Sequence, residues 1–450
     1  MLVEEEKLMK IVQIFFCIAL SLSLGSLISG CVQEEKDKKE IVIWGSSATV
    51  LENELELDQD QWFFVELLHE YEKIHPEIEF KYQYFEDEAA MQQNVKTAAI
   101  AGTEPDIVNL WTGPYLSDLQ EILLPLNNYI PEDDLDNIRY WEFLTDNMMD
   151  PSEGGNILGY PFGGGEIGLI LYNKGIVESL GLDFENNPPN SVEKFVNALE
   201  SFKKSGYMPM ACSDYGTNYI VNLVFNKWWI QVEGLDHIRA LSAGQEKFSD
   251  DESFIRLYSI MSQIYEDGYI TPDYATNEDA YLDFLNGQAV LYPTGNWDIN
   301  LAREYLGDDL GILELPDISD NVMLPMCLTG GSGQSLCVLK STLYRQECVD
   351  FLSWLSNKEN TIRICERKSV LPLRYDVDIS DTKLNDDVLY KDVIEMMERT
   401  VPWHEYYMSP ELSEVYYRFG TATITGHTDV YDFAQIMDRE VARINKLNSN

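Results

Sequence analysis

The chain has 450 residues, 32 basic against 77 acidic, and a formal net charge of −45. That field repels phosphate backbones and excludes nucleic acid as a partner, while an anionic ligand would need a local cationic pocket that the sequence does not display. Acids dispersed at this density keep a body soluble and unassociated, and the roughly 410 residues beyond the N-terminal segment exceed one core and suit two lobes.

The N-terminal stretch from Ile11 to Ile28 is apolar apart from Gln13, a few serines and a glycine, with Lys7 and Lys10 as its basic flank. The flank reads better if translation begins at Met9. A membrane span wants about 20 strongly apolar residues, and this one is shorter and diluted by serine. Small residues immediately before a cleavage point mark a signal peptide, and Ile28-Ser29-Gly30 ahead of Cys31 has that form. The four residues Ile28-Ser29-Gly30-Cys31 resemble the lipobox of secreted lipoproteins, which implies that residues 1–30 are removed and Cys31 is lipidated. Two acyl chains hold a protein firmly where one does not. An uncleaved anchor helix is the alternative, and both place the remaining chain outside the cytoplasm, at the outer face of the cell membrane. Residues 31–40 are too polar to order themselves and read as a tether.

From Ile41 the predicted elements alternate. Ile41 to Trp44 reads as a strand ending in Gly45-Ser46-Ser47, and Trp62 to Ile74 has apolar residues at helical spacing before Pro76 stops it. Ile78 to Tyr84 alternates as a strand, Ala89 to Ala101 reads as a helix closed by Gly102, and Asp106 to Leu110 is another strand. Strand and helix in this alternation predict an α/β fold with a parallel sheet. Ligands bind beyond the carboxyl ends of such strands, which singles out Ser46, Ser47 and Trp111-Thr112-Gly113. Trp228-Trp229, in an apolar helical context, reads as core.

Several motifs point elsewhere and fail on context. Gly163, Gly165 and Gly168 satisfy G-x-G-x-x-G, but Leu169 to Tyr172 after them is strand-like, whereas a dinucleotide site needs a helix there. His69-Glu70 and His404-Glu405 begin H-E-x-x-H and lack the second histidine. Gly331-Ser332-Gly333 is not the G-x-S-x-G nucleophile elbow. A glycosidase needs only two carboxyls about 5 to 9.5 Å apart, and among 77 acids suggestive pairs arise everywhere. Cys212, Cys327, Cys337, Cys348 and Cys365 remain in the body; none has C-x-x-C spacing, so no zinc or dithiol site is expected. Their odd number leaves at least one unpaired. Cys327 with Cys337 or Cys348 with Cys365 are possible disulfides, and buried free thiols are an equal reading.

"AGTEPDIVNLW" (101 to 111), "LGYPFGGGEIGLILYNKG" (158 to 175), "PPNSVEKF" (188 to 195), "FLNGQAVLYPTGNW" (284 to 297), "VDFLSWLSNKEN" (349 to 360) and "VLPL" (370 to 373) follow one another in an order that resembles the extracellular solute-binding proteins of ABC importers, in their maltose-binding-like, sugar-binding group. The resemblance runs from about Ile41 to the end of the chain. It implies a two-lobed, periplasmic-binding-protein-like α/β fold with three crossings and a ligand cleft. Lobe one would take residues 41–161 plus 315–368, and lobe two 166–313 plus 371–450. The crossings would fall at Tyr160-Pro161-Phe162, near Leu315-Pro316 and near Val370. It further implies capture of a solute, in the first place a mono- or oligosaccharide, and delivery to ABC permease subunits, with no chemistry, cofactor or metal of the protein's own. A pyranose offers an apolar face to aromatic rings and a rim of hydroxyls to carboxylates and amides, whose charged hydrogen bonds are worth about 1.5 to 3 kcal/mol each. On the family's pattern the contacts would be Trp111, Glu166, Tyr215, Trp297, Gly331, Trp403 and Tyr406, with Tyr219 able to replace Tyr215, and they join Ser46, Ser47 and Thr112 from the strand ends. Peptides, polyamines or compatible solutes are alternative ligands, an acidic pocket at Glu86, Asp87 and Glu88 favouring a cation.

Overall fold

The computed structural model describes residues 38–146, 154–214, 218–276, 279–368 and 370–448. The expected signal peptide, Cys31, most of the tether and Tyr215 lie outside the described residues. Among those described, no helix is long and apolar enough to cross a membrane.

Strand β1 (Lys39–Gly45) buries Ile41 and Ile43 completely. The helix Phe63–Ile74 presents Phe64, Leu67, Leu68 and Tyr71 to the sheet and stops one residue before Pro76. β2 (Ile78–Tyr84) then pairs parallel with β1. The next helix, Glu88–Ala101, starts where the Asp87 carboxylate accepts the Ala90 N–H at 2.8 Å and ends at Gly102, whose φ of 69° is the left-handed cap that glycine adopts freely. β3 (Ile107–Trp111) pairs parallel with the other edge of β1. After β4 (Tyr160–Phe162) the chain enters a second sheet with β5 (Glu166–Asn173), β6 (Met208–Met210), β7 (Ala289–Gly295), β8 (Leu310–Leu313) and β9 (Leu328–Gly331). It returns to the first sheet as β10 (Gln334–Val338), and β11 (Thr400–Pro402) closes the edge of the second. The strand orders are β2-β1-β3-β10-β4 and β11-β9-β5-β7-β6, with β8 also on β5.

Each sheet carries its own core. Ile41, Phe64, Tyr71, Phe351 and Leu352 are buried together in lobe one, and Phe195, Phe225, Trp228, Trp229, Phe254 and Tyr416 in lobe two, so the tryptophan pair is core as its context predicts. The first sheet is not wholly parallel. β10 runs antiparallel to β3 and β4 because it re-enters from the second lobe, at the carboxyl end of β3.

Strand pairing locates the passages between lobes. The first is Gly163–Gly165, directly after the expected Tyr160-Pro161-Phe162. Gly165 O accepts from Asn296 Nδ2 at 3.0 Å and Asn296 Oδ1 accepts the Ile167 N–H at 2.9 Å, which fixes this passage to lobe two. The second differs from expectation: Leu315 and Ile318 belong to the lobe-two core and β9 still pairs with β5, so the chain leaves lobe two at Ser332–Gly333 and not near Leu315-Pro316. At the third, Val370 packs in the lobe-one core and Leu371 in lobe two. Leu371 pairs with Gly165, and the chain then touches lobe one again at Arg374, which pairs with Ile138.

All five body cysteines are free and buried, and burial raises the pKa of each. A chain beginning at Lys36 is therefore expected to resist a thiol reagent at neutral pH in its native state and to titrate five thiols in denaturant; fewer than five would reveal a disulfide.

Candidate functional site at the meeting of the lobes

The carboxyl ends of β1 and β3 bring Ser46, Asn109 and Trp111 to the face of lobe one that meets lobe two. Ser46 is fully buried and its hydroxyl donates to Asn109 Oδ1 at 2.5 Å. Asn109 Nδ2 donates to Gln334 Oε1 at 3.0 Å, and Gln334 Nε2 donates to Glu88 Oε1 at 3.0 Å. Ser47, which is exposed, donates to the other Glu88 oxygen at 2.8 Å. These amides and hydroxyls form a relay that ends on one carboxylate, which can only accept while ionised. Burial nevertheless raises the Glu88 pKa, against the hydrogen bonds from Ser47 and Gln334. Of the expected acidic trio only Glu88 enters this network: Asp87 caps its helix, and Glu86 and Asp87 are exposed.

Lobe two reaches across through Tyr406. Its hydroxyl lies 2.7 Å from Thr112 Oγ1 and 3.1 Å from Ser332 O, and Thr112 Oγ1 donates to the same carbonyl at 2.6 Å. The Tyr406 ring stacks on Phe143 at 5.3 Å, and Phe143 on Tyr140 at 5.5 Å. Gly113, with φ 71°, lies under that ring so closely that a Cβ would sit 2.3 Å from it. A second link runs from Tyr115 of lobe one to Tyr417, whose hydroxyl donates to Glu405 at 2.5 Å. Trp403 makes no contact with lobe one among the ring contacts and hydrogen bonds of the described residues: it is 4 % exposed and edge-on to Tyr406 at 5.8 Å, and it is the equally buried Tyr406, in the turn His404–Tyr407, whose hydroxyl crosses to Thr112.

Glu166 opens β5, half-buried, with one oxygen so near Gly333 that a Cβ there would lie 1.6 Å from it. Burial and the neighbouring Glu88 charge push its pKa up to about 8, with Lys368 opposing. Lys368, whose Nζ donates to Ala48 O at 2.5 Å, is pulled down to about 8 by burial, against the attraction of Glu166, Glu54 and Glu88. Gly331 ends β9 opposite Glu166, with φ 145° and the Phe143 ring against it. Trp111 and Trp297 are half-buried, one on each lobe: Trp111 meets Tyr115 edge-on at 4.8 Å, and Trp297 lies over Gly295 in the turn after β7. A small cavity of about 20 Å³ behind the first passage, lined by Phe162, Leu371 and Arg374 among others, contains none of the expected contact residues.

The structure thus gathers Ser46, Ser47, Trp111, Thr112, Glu166, Gly331 and Tyr406 around the 331–335 segment, and places Trp297 beyond the Asn296 brace. Sequence reasoning missed Asn109, Gln334, Phe143, Tyr115, Glu405 and Tyr417 as members of this surface. Asn109 carried a usable signal, an amide in the middle of an otherwise apolar strand, whereas Gln334 opens β10 directly after the glycine-rich turn.

Glu166 binds more protons folded than unfolded between about pH 4.5 and pH 8, so its contribution to stability falls as pH rises through that window. In Glu166→Gln the decline of Tm between pH 5 and pH 7.5 is expected to be shallower, by about 2 to 4 °C for each kcal/mol relieved in a lobe of this size. Equal slopes in the two proteins would show that the carboxyl is ionised throughout.

The model of the bacterial extracellular solute-binding protein family matches residues 66–391. An uncharacterized ABC transporter extracellular-binding protein of Pyrococcus horikoshii is 23% identical over 322 residues, covering 71% of each chain. Among solved structures, a chitin oligosaccharide binding protein superposes with a TM-score of 0.77 at 19% identity, over 91% of this chain and 100% of its own. The GacH receptor of Streptomyces glaucescens gives 0.70 at 17% over 91% and 99%, and the sugar-binding protein MalE of Xanthomonas citri 0.67 at 16% over 92% and 100%. The two lobes are those of the periplasmic-binding-protein fold, and with the family's model matched over most of the two-lobed body, the chain belongs to the bacterial extracellular solute-binding proteins.

Proposed function

We propose that the protein is the carbohydrate receptor of an ABC importer, holding a mono- or oligosaccharide between its lobes and handing it to the permease subunits without catalysis. The observation that carries this reading is half-buried Trp111 at the carboxyl end of β3, opposite Gln334 of the Glu88–Gln334–Asn109 relay, with a second half-buried tryptophan, Trp297, in the turn after β7 of the other lobe. An indole face suits the apolar face of a pyranose, and carboxylates and amides suit its hydroxyl rim. Neighbouring folds add support, since structures of the same architecture are described with acarbose and with raffinose. Closing two lobes on a small ligand buries it and creates a composite surface for the permease. Lipid on Cys31, with residues 31–40 as a tether, would keep this receptor at the outer face of the membrane.

A second reading, a polyamine or other cation, is favoured by the half-buried carboxylates Glu88, Glu166 and Glu405. Thermal unfolding of the chain from Lys36 against saccharides, peptides, polyamines and amino acids separates the two. A ligand at 100 times its Kd stabilises by about 2.7 kcal/mol. We expect a Tm rise with one saccharide class, lost in Trp297→Ala and reduced in Trp111→Ala, with no new product on chromatography. A rise with polyamines alone would replace the sugar by a cation, and cleavage of the saccharide would make the protein a hydrolase.

A further inference from the structure

On the side of lobe two, three elements converge on one imidazole. Glu233 is the last residue of the helix Lys227–Glu233, and His237 lies in the helix Leu235–Ala243. Glu246 follows Gly244, whose φ of 73° turns the chain back. Glu246 Oε2 lies 2.6 Å and Glu233 Oε2 3.1 Å from His237 Nδ1. On the far side of the ring, Nε2 is 3.0 Å from Asp251 Oδ2. Asp251 is held rigidly: its side chain is fully buried, Oδ1 accepts the N–H groups of Ser253 and Phe254 at 2.9 and 3.0 Å, and Oδ2 accepts Trp229 Nε1 at 2.7 Å.

We propose that Glu233, His237 and Glu246 form a site for one divalent transition-metal cation of the zinc type. Three features converge on it. One ligand atom from each residue lies within 4.8 Å of the other two, and no other group of three His, Cys, Asp or Glu residues among those described converges so closely. Ligands at about 2.0 to 2.2 Å from one ion lie at most about 4.4 Å apart, so the two glutamate side chains, each about half exposed, turn inward to close on it. Asp251 receives the Nε2 proton, which leaves Nδ1 as the ligating nitrogen; a carboxylate behind a histidine is the outer-shell arrangement that orients metal-binding imidazoles. Access is graded, the imidazole side chain being 10 % exposed and the glutamates 51 and 52 %, so an ion enters from solvent onto a fixed ring. An imidazole with two carboxylates suits zinc, cobalt or nickel over magnesium and calcium, which prefer oxygen alone. Without metal, both ring nitrogens donate to carboxylates, and the cation takes the place of the Nδ1 proton.

Occupancy would bear on the rest of the lobe. The ion would clasp the two helices to the start of the helix Glu252–Glu266, and Arg239, on the same helix as His237, lies 4.5 Å over the Tyr407 ring in the turn that delivers Tyr406. The site is thus a staple behind the lobe-two half of the interlobe contact.

The test uses the chain from Lys36, which contains every described residue, without a histidine tag and stripped by chelator. Zn²⁺ and Co²⁺ are titrated by calorimetry and Co²⁺ also by visible absorption, with Mg²⁺ and Ca²⁺ as contrast. We expect one Zn²⁺ per chain, a higher Tm with Zn²⁺ than with Mg²⁺, and affinity at least 100-fold weaker in His237→Ala. Glu233→Gln and Glu246→Gln, at exposed positions that leave the core intact, each weaken it about 10-fold, while His69→Ala, elsewhere on the surface, leaves it unchanged. Absence of saturable Zn²⁺ binding at millimolar concentration, or equal affinity in the double glutamine variant, overturns the proposal and leaves an imidazolium clasped by carboxylates.

Discussion

The peptide groups between Gly331 and Ser335 must leave one sheet and join another, and their hydrogen bonds have to be met on the way. The solution organises the whole interlobe surface. The Ser332 carbonyl takes Thr112 and Tyr406, the Gly333 carbonyl takes the Thr112 N–H at 3.1 Å, and the Ser332 hydroxyl donates to Gln334 O at 2.9 Å. Gln334 then carries the relay to Glu88, and the missing side chain of Gly333 makes room for the Glu166 carboxylate. Residues from both lobes are therefore held in register by a short piece of backbone that belongs to neither.

The large negative charge and the behaviour of the interface follow from one comparison. Acids on a solvated surface cost little, and most of the 77 acidic residues raise no local problem. Glu54 is 1 % exposed, but its oxygens receive the Leu51 and Phe63 N–H groups and Arg367. Glu166 is half-buried with no hydrogen bond to its carboxylate among the described residues, and the nearby Glu88 is of like charge. The first pattern fixes an ion in place; the second leaves a group whose charge depends on what approaches it. A surface built in the second way responds to a ligand that supplies hydroxyl or ammonium donors.

Legibility in the sequence tracked the range of the interaction. β1, β2, β3 and the helices between them were readable because apolar spacing, Pro76 and Gly102 act within a few residues of themselves. The second passage was misplaced: Leu315-Pro316 looks like a boundary, whereas Ser332-Gly333 looks like an ordinary turn until β9 and β10 are seen in different sheets. Trp403 and Tyr406 are three residues apart with similar local signals, both are buried, and only the rest of lobe two decides which of them reaches Thr112. The Tyr140–Phe143–Tyr406 stack joins residues far apart in the chain, and no local pattern announces it. Asn109 was recoverable, since an amide in the middle of a buried strand must find a partner.

The first and third passages have a mechanical meaning. Gly165 N–H donates to Leu371 O at 3.0 Å, so the two chains run side by side as a narrow ribbon. One end is pinned to lobe two by Asn296, and the other to lobe one where Arg374, 3 % exposed, donates to Ser356 O at 3.0 Å. A paired ribbon bends easily out of its own plane and resists twisting and shear, because those motions stretch the hydrogen bonds across it. Such a link favours a swing of one lobe against the other over a sliding of one across the other.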